Sequence, residues 1–144
     1  GLPDVWTGAH HRGVQLHDLR AAVEQWCHRY GQRAWLRQLQ TPVTREMEDA
    51  LLRTIARMDG TPFPATAALA GRWFRGRLRR PAPVESTYCA EVVAATYQAM
   101  GLLGPDRPTN YYDPGKFWSG DHLELTGGAH LGAEILVEVR SAAP

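Results

Sequence analysis

Ser86-Thr87-Tyr88-Cys89-Ala90-Glu91-Val92-Val93, continuing through Tyr97-Gln98-Ala99-Met100-Gly101, is the stretch from which the fold of this chain is read. Ser86 or Thr87 offers a hydroxyl that can cap a helix, and Gly101 supplies the left-handed residue that ends one. A helix over this span puts Cys89 in its first turn. The N–H groups there have no partner inside the helix, and the aligned peptide dipoles leave partial positive charge at that end. Both effects favour a thiolate, the form in which cysteine attacks a carbonyl, and the same N–H groups suit a developing oxyanion. The competing reading makes Cys89 a plain core residue sharing an apolar face with Val92, Val93 and Met100. Glu91, two positions on, does not face Cys89 and is expected as a carboxylate placed favourably near a helix N-terminus.

Working outward toward the N-terminus, Val14 and Leu16 alternate with Gln15 and His17, the mark of a short strand. Asp18 can cap a helix over residues 19–26, with Leu19, Val23 and Trp26 on one face. Residues 33–39 read as a strand. The clearest helix spans 44–59: Thr44 caps it, Glu46 and Glu48 suit its positive end, Gly60 ends it, and Met47, Leu51, Ile55 and Met58 form its apolar stripe. Residues 65–78 read as a helix weakened by Gly71 and Gly76 and stopped by Pro81 and Pro83. Beyond the Cys89 helix, 104–109 read as loop and 111–118 as an aromatic loop with a short helical turn, in which Tyr111 and Tyr112 pack or half-bury. The last strand is expected over 134–140, with Ile135, Val137 and Val139 on one side. Helices and strands mix without regular alternation, so the expected class is α+β: a Cys-bearing helix packed on a small antiparallel sheet.

At 144 residues the chain fits one domain, and 44% hydrophobic residues are enough for a core without covalent staples. A net charge of +1 provides no global field to select nucleic acid or an anionic membrane. No apolar run reaches the roughly 18 residues that span a bilayer, and the N-terminus does not read as a signal peptide. The two cysteines, Cys27 and Cys89, are too few for a disulfide framework and are read as free thiols, which weakly favours the cytoplasm. Residues 72–80 interleave Arg72, Arg75, Arg77, Arg79 and Arg80 with Trp73 and Phe74, a pattern open to an anionic ligand or nucleic acid. An amphipathic helix with solvated arginines explains it more simply, so no nucleic-acid partner is expected. His10, His11 and His17, with Asp4 or Asp18, offer metal ligands, but no tight ligand motif links them and no metal is assigned. His28 suits a helix C-terminus, and His122 and His130 fall in turn-like surroundings.

The Cys89 helix resembles that of the circularly permuted NlpC-type papain-like amidases, the YiiX-like branch. Its quoted residues and Tyr97 through Leu103 carry the likeness. The downstream Tyr112-Asp113-Pro114-Gly115-Lys116-Phe117 is similar to the Tyr-x-Pro-x-x-Phe segment that follows the helix there. Arg12-Gly13-Val14-Gln15-Leu16 and Trp35-Leu36-Arg37-Gln38-Leu39 resemble strands of that branch. The resemblance covers most of the chain and implies a papain-like core with Cys89 as nucleophile. The substrate would be a peptide, small-molecule or lipid-like amide or ester, with no cofactor. In that family a histidine in a Ser/Thr-His-Val-Gly strand precedes the cysteine; no such tetrapeptide occurs here, and no histidine of this chain inherits its role. The expectation is therefore a single papain-like domain over 1–144 lacking an N-terminal portion. A binding module on the same fold is the alternative, and an open sheet edge would allow self-association.

Overall fold

A computed structural model describes residues 1–62, 75, 77–78 and 89–139. Among these the order is α1 (Leu19–His28), β1 (Trp35–Gln40), α2 (Arg45–Met58), α3 (Cys89–Ala99) and β2 (His130–Leu136). Three single 3₁₀ turns, Thr109–Tyr111, Pro114–Phe117 and Thr126–Gly128, lie between α3 and β2. β1 and β2 pair antiparallel, and the mixture of helices with this small sheet makes the described chain α+β.

Local chemistry sets most of these boundaries. Asp18 caps α1 by accepting from the Ala21 amide at 2.9 Å, and Thr44 caps α2 through the Met47 amide at 3.3 Å. Glu46 and Glu48 sit in the first turn of α2, where its dipole favours anions. The bond from its own backbone amide, and after it a bond from the Thr44 hydroxyl, holds the Glu46 carboxyl below its ordinary range. Gly60 and Gly101 both have positive φ and end α2 and α3 as the sequence predicts. Met58 is buried and Met47, Leu51 and Ile55 are half-buried, and α2 packs against α3. The core lies beyond α3, where Ala94, Leu103 and Tyr112 are buried together. Tyr97, Tyr111, Phe117, Leu123 and Leu125 surround them. Gln98 pins the chain that leaves α3 by donating to the carbonyls of Gly104 and Arg107.

Four expectations need correction. Residues 14–16 form no strand: Val14 exchanges backbone hydrogen bonds with Gly60 and Thr61 at the end of α2, so the segment is an anchored loop. The face of α1 carrying Leu19, Val23 and Trp26 is not a core face. Leu19 is 73% and Trp26 51% exposed, and α1 packs on no other described helix or strand. The last strand runs from His130 to Leu136 rather than over 134–140, because the six residues of β1 limit the ladder; only the Val137 amide, bonded to the Ala34 carbonyl, extends the pairing. His130, expected in a turn, begins β2. The expected helix over 65–78 lies outside the described residues except for Arg75, Arg77 and Leu78, which are exposed, and so do the caps Ser86 and Thr87. No described helix is long and apolar enough to cross a membrane.

Candidate active site

Cys89 is the first described residue of α3 and is exposed, so it is not the core cysteine of the competing reading. Behind it α3 turns Ala90, Glu91, Ala94 and Thr96 inward. Cys89 opens onto a cavity of about 330 Å³ lined by Trp35 and Arg37 of β1, Val93 and Tyr97 of α3, Phe117, and Leu131 of β2. Residues of β1, α3, the Pro114–Phe117 turn and β2, far apart in sequence, thus line one cavity with the thiol. Among the described residues the lining is mainly apolar, with Arg37, Tyr97 and Cys89 as the ones that carry polar side-chain groups. Burial pushes the Tyr97 phenol above its ordinary range, and the nearby positive charge of Arg37 opposes that rise.

Arg37 fixes one wall. In the β1–β2 register Arg37 faces Glu134 while Leu39 faces Leu131, so Gln38 opposes both Gly132 and Ala133. Such a step leaves ladder groups in need of other partners. Arg37 supplies donors there: its Nε donates to the Gly132 carbonyl at 2.8 Å and its Nη2 to the Leu131 carbonyl at 3.1 Å. Its Nη1 reaches the Phe117 carbonyl at 2.8 Å, tying the Pro114–Phe117 turn to the sheet. One planar guanidinium, with donors in a fixed fork, thus holds three segments around the cavity. Phe117 in turn meets Tyr97 edge-on, with ring centroids 6.0 Å apart.

Glu91 lies in the first turn of α3, where a carboxylate is expected. It is only 5% exposed, and its Oε1 accepts from the Thr109 hydroxyl at 3.4 Å, so it joins α3 to the following 3₁₀ turn. Of the two tyrosines, Tyr112 is buried in the core, while Tyr111 takes the cations of Arg107 and Lys116 over its ring at 4.7 and 5.9 Å. No histidine lines the Cys89 cavity among the described residues. His10, His28, His122 and His130 are exposed. His17 is half-buried with Nδ1 3.0 Å from the Pro3 carbonyl, and His11 is half-buried beside two aspartates.

Sequence reasoning missed Arg37 and the structural weight of Asp4. Arg37 had no visible signal, because its three acceptors lie 80 to 95 positions away. Asp4 did have one: an aspartate followed by Thr7 and Gly8 suits a side-chain-stabilised turn. Compared with family models, characterised proteins and solved structures, the chain matches none.

Proposed function

We propose that this chain is a papain-like thiol hydrolase of the permuted NlpC type, in which Cys89 attacks the carbonyl of an amide, peptide or ester. The observation that carries this reading is an exposed cysteine at the first described residue of a helix, opening onto a mainly apolar cavity. In the proposed reaction the Cys89 sulfur bonds to the carbonyl carbon and the C=O pair moves onto oxygen. The oxyanion is held near the first N–H groups of α3. A base takes the thiol proton as the sulfur attacks and passes it to the amine or alcohol that collapse expels, which leaves an acyl-thioester. Water, giving its proton to a base, then releases the acid and restores the thiol. The base is a group other than the described residues lining the cavity. Trp35, Val93, Phe117 and Leu131 suit an apolar acyl group or side chain, which favours peptide or lipid-like substrates.

The test is a panel of activated esters and peptide amides, with the intact protein followed by mass spectrometry. An acyl adduct on Cys89, absent from Cys27, together with loss of turnover in a folded Cys89→Ala variant, is the expected result. Full turnover in Cys89→Ala sinks the mechanism. The absence of a histidine among the described cavity residues favours a second reading, a binding module on the same fold. Saturable ligand binding that survives Cys89→Ala, with no adduct from any substrate, would select it.

A further inference from the structure

Away from Cys89, the N-terminal loop meets the end of α2. His11 Nε2 lies 3.7 Å from Asp59 Oδ1 and 4.0 Å from Asp4 Oδ2. All three ligand atoms fall within 4.8 Å of one another. The Asp4 side chain is fully buried, and those of His11 and Asp59 are about three-quarters buried. The His11 Nε2 and Asp59 Oδ1 atoms are themselves shielded from solvent and have no hydrogen-bond partner among the described residues. Buried polar atoms without partners are costly, and two facing each other call for something between them.

The surroundings define what that is. His11 Nδ1 is 3.2 Å from the Arg12 carbonyl, which can only accept, so Nδ1 carries the hydrogen. In neutral imidazole Nε2 is then a bare lone pair aimed at two carboxylate oxygens. A proton on Nε2 would not bridge well, since 3.7 and 4.0 Å exceed hydrogen-bonding distance. Two ligands each ~2.1 Å from one metal ion stand ~3.4 Å apart at the tetrahedral angle and farther apart at wider angles. The observed separations therefore suit a shared cation better than a shared proton. The ligand atoms are also held in place. The Gln15 amide donates to the His11 carbonyl, the Leu16 amide fixes Asp4 Oδ2 at 2.8 Å, and Asp59 is the C-cap of α2. Asp4 Oδ2 keeps a second lone pair for a metal.

We infer that Asp4, His11 and Asp59 form a divalent transition-metal site that clips the N-terminal loop to the end of α2. One imidazole with two carboxylates is a mixed set best matched to zinc-like ions, and three protein ligands leave a position for water. This corrects the ligand set that the sequence offered: His10, His17 and Asp18 take no part.

The experiment uses the full chain stripped with a chelator, titrated calorimetrically with Zn²⁺, with Co²⁺ as a spectroscopic reporter. One equivalent should bind, raise the unfolding temperature and give a Co²⁺ spectrum without thiolate charge-transfer bands, which separates this site from Cys27 and Cys89. Asp59→Asn keeps the side-chain shape and should weaken Zn²⁺ binding by at least tenfold; His11→Gln should do the same should the first variant fold poorly. Thiolate bands, affinity unchanged in both variants, or Mg²⁺ and Ca²⁺ binding as tightly as Zn²⁺ would each overturn the assignment.

Discussion

At the scale of single residues, Asp4 shows how one carboxylate can organise a loop. Its Oδ1 accepts from the Trp6 and Thr7 amides, each at 2.9 Å, and from the Thr7 hydroxyl at 3.1 Å, while Oδ2 accepts from the Leu16 amide. The Leu16 bond is the largest of the causes that lower its carboxyl from 3.8 to about 2, followed by the Thr7 amide; burial works in the opposite direction. A folded value below the unfolded one means that ionised Asp4 stabilises the fold. That contribution is fully present above about 3.8 and is lost as the pH falls through about 2. In chelator-treated protein, the stability gap between the wild type and Asp4→Asn should be constant above pH ~4 and shrink between ~4 and ~2. A gap that keeps its size across that window would show that the N–H groups stabilise the ionised form no more than the neutral one.

At the scale of elements, the loop around Gly13 is the close joint between the N-terminal segment and α2. Gly13 has φ +98°, and a Cβ built on it would stand 2.3 Å from the Thr61 carbonyl oxygen and 2.7 Å from its carbon. Backbone atoms cannot swing aside as a side chain does. Gly13→Ala thus combines a left-handed penalty with overpacking, roughly 2–5 kcal/mol together. Gly31, at φ +62° with nothing within 4 Å of a built Cβ, incurs only the first part, roughly 1–2 kcal/mol. Denaturant midpoints of the two alanine variants measure the difference, and equal losses would mean that the Gly13 loop yields freely.

That joint also explains which elements were legible in the sequence. α2 could be read whole, because its cap, its stripe and its terminating glycine are all local signals. The end of α3 at Gly101 was legible for the same reason, and so was β1 to within two residues, while the caps read for α3, Ser86 and Thr87, lie outside the described residues. Val14 and Leu16 alternate like a strand, yet the backbone partners of Val14 are Gly60 and Thr61, a pairing that no local pattern encodes. The alternation of Ile135, Val137 and Val139 does not mark the strand either: β2 ends at Leu136, and its extent is decided by its partner strand. The grouping of Asp4 and His11 with Asp59, and of Arg37 with Leu131 and Gly132, depends on tertiary contact alone.

At the scale of the whole molecule, the sheet stands open among the described residues. Among the described residues β1 and β2 pair only with each other, and two strands alone are marginally stable in water. Trp35, Leu36, Ile135 and Leu136 are between 45% and 57% exposed, more apolar surface than a covered sheet leaves open. Beside them Leu19 and Val23 of α1 form an apolar trough with Trp35, Leu36, Val137 and Val139. Each such side chain, fully covered, contributes about 1.5–3 kcal/mol, so a surface that joins several of them favours association. A second copy pairing along a free strand edge would satisfy the unpaired backbone groups and cover the adjoining apolar residues together. Sedimentation across a wide concentration range should therefore show a reversible shift from monomer to dimer. Ile135→Lys, which places a charge on the exposed strand, should move that shift to higher concentration without unfolding the chain. A monomer at every concentration, or a dimer indifferent to Ile135→Lys, would place the cover for this sheet elsewhere.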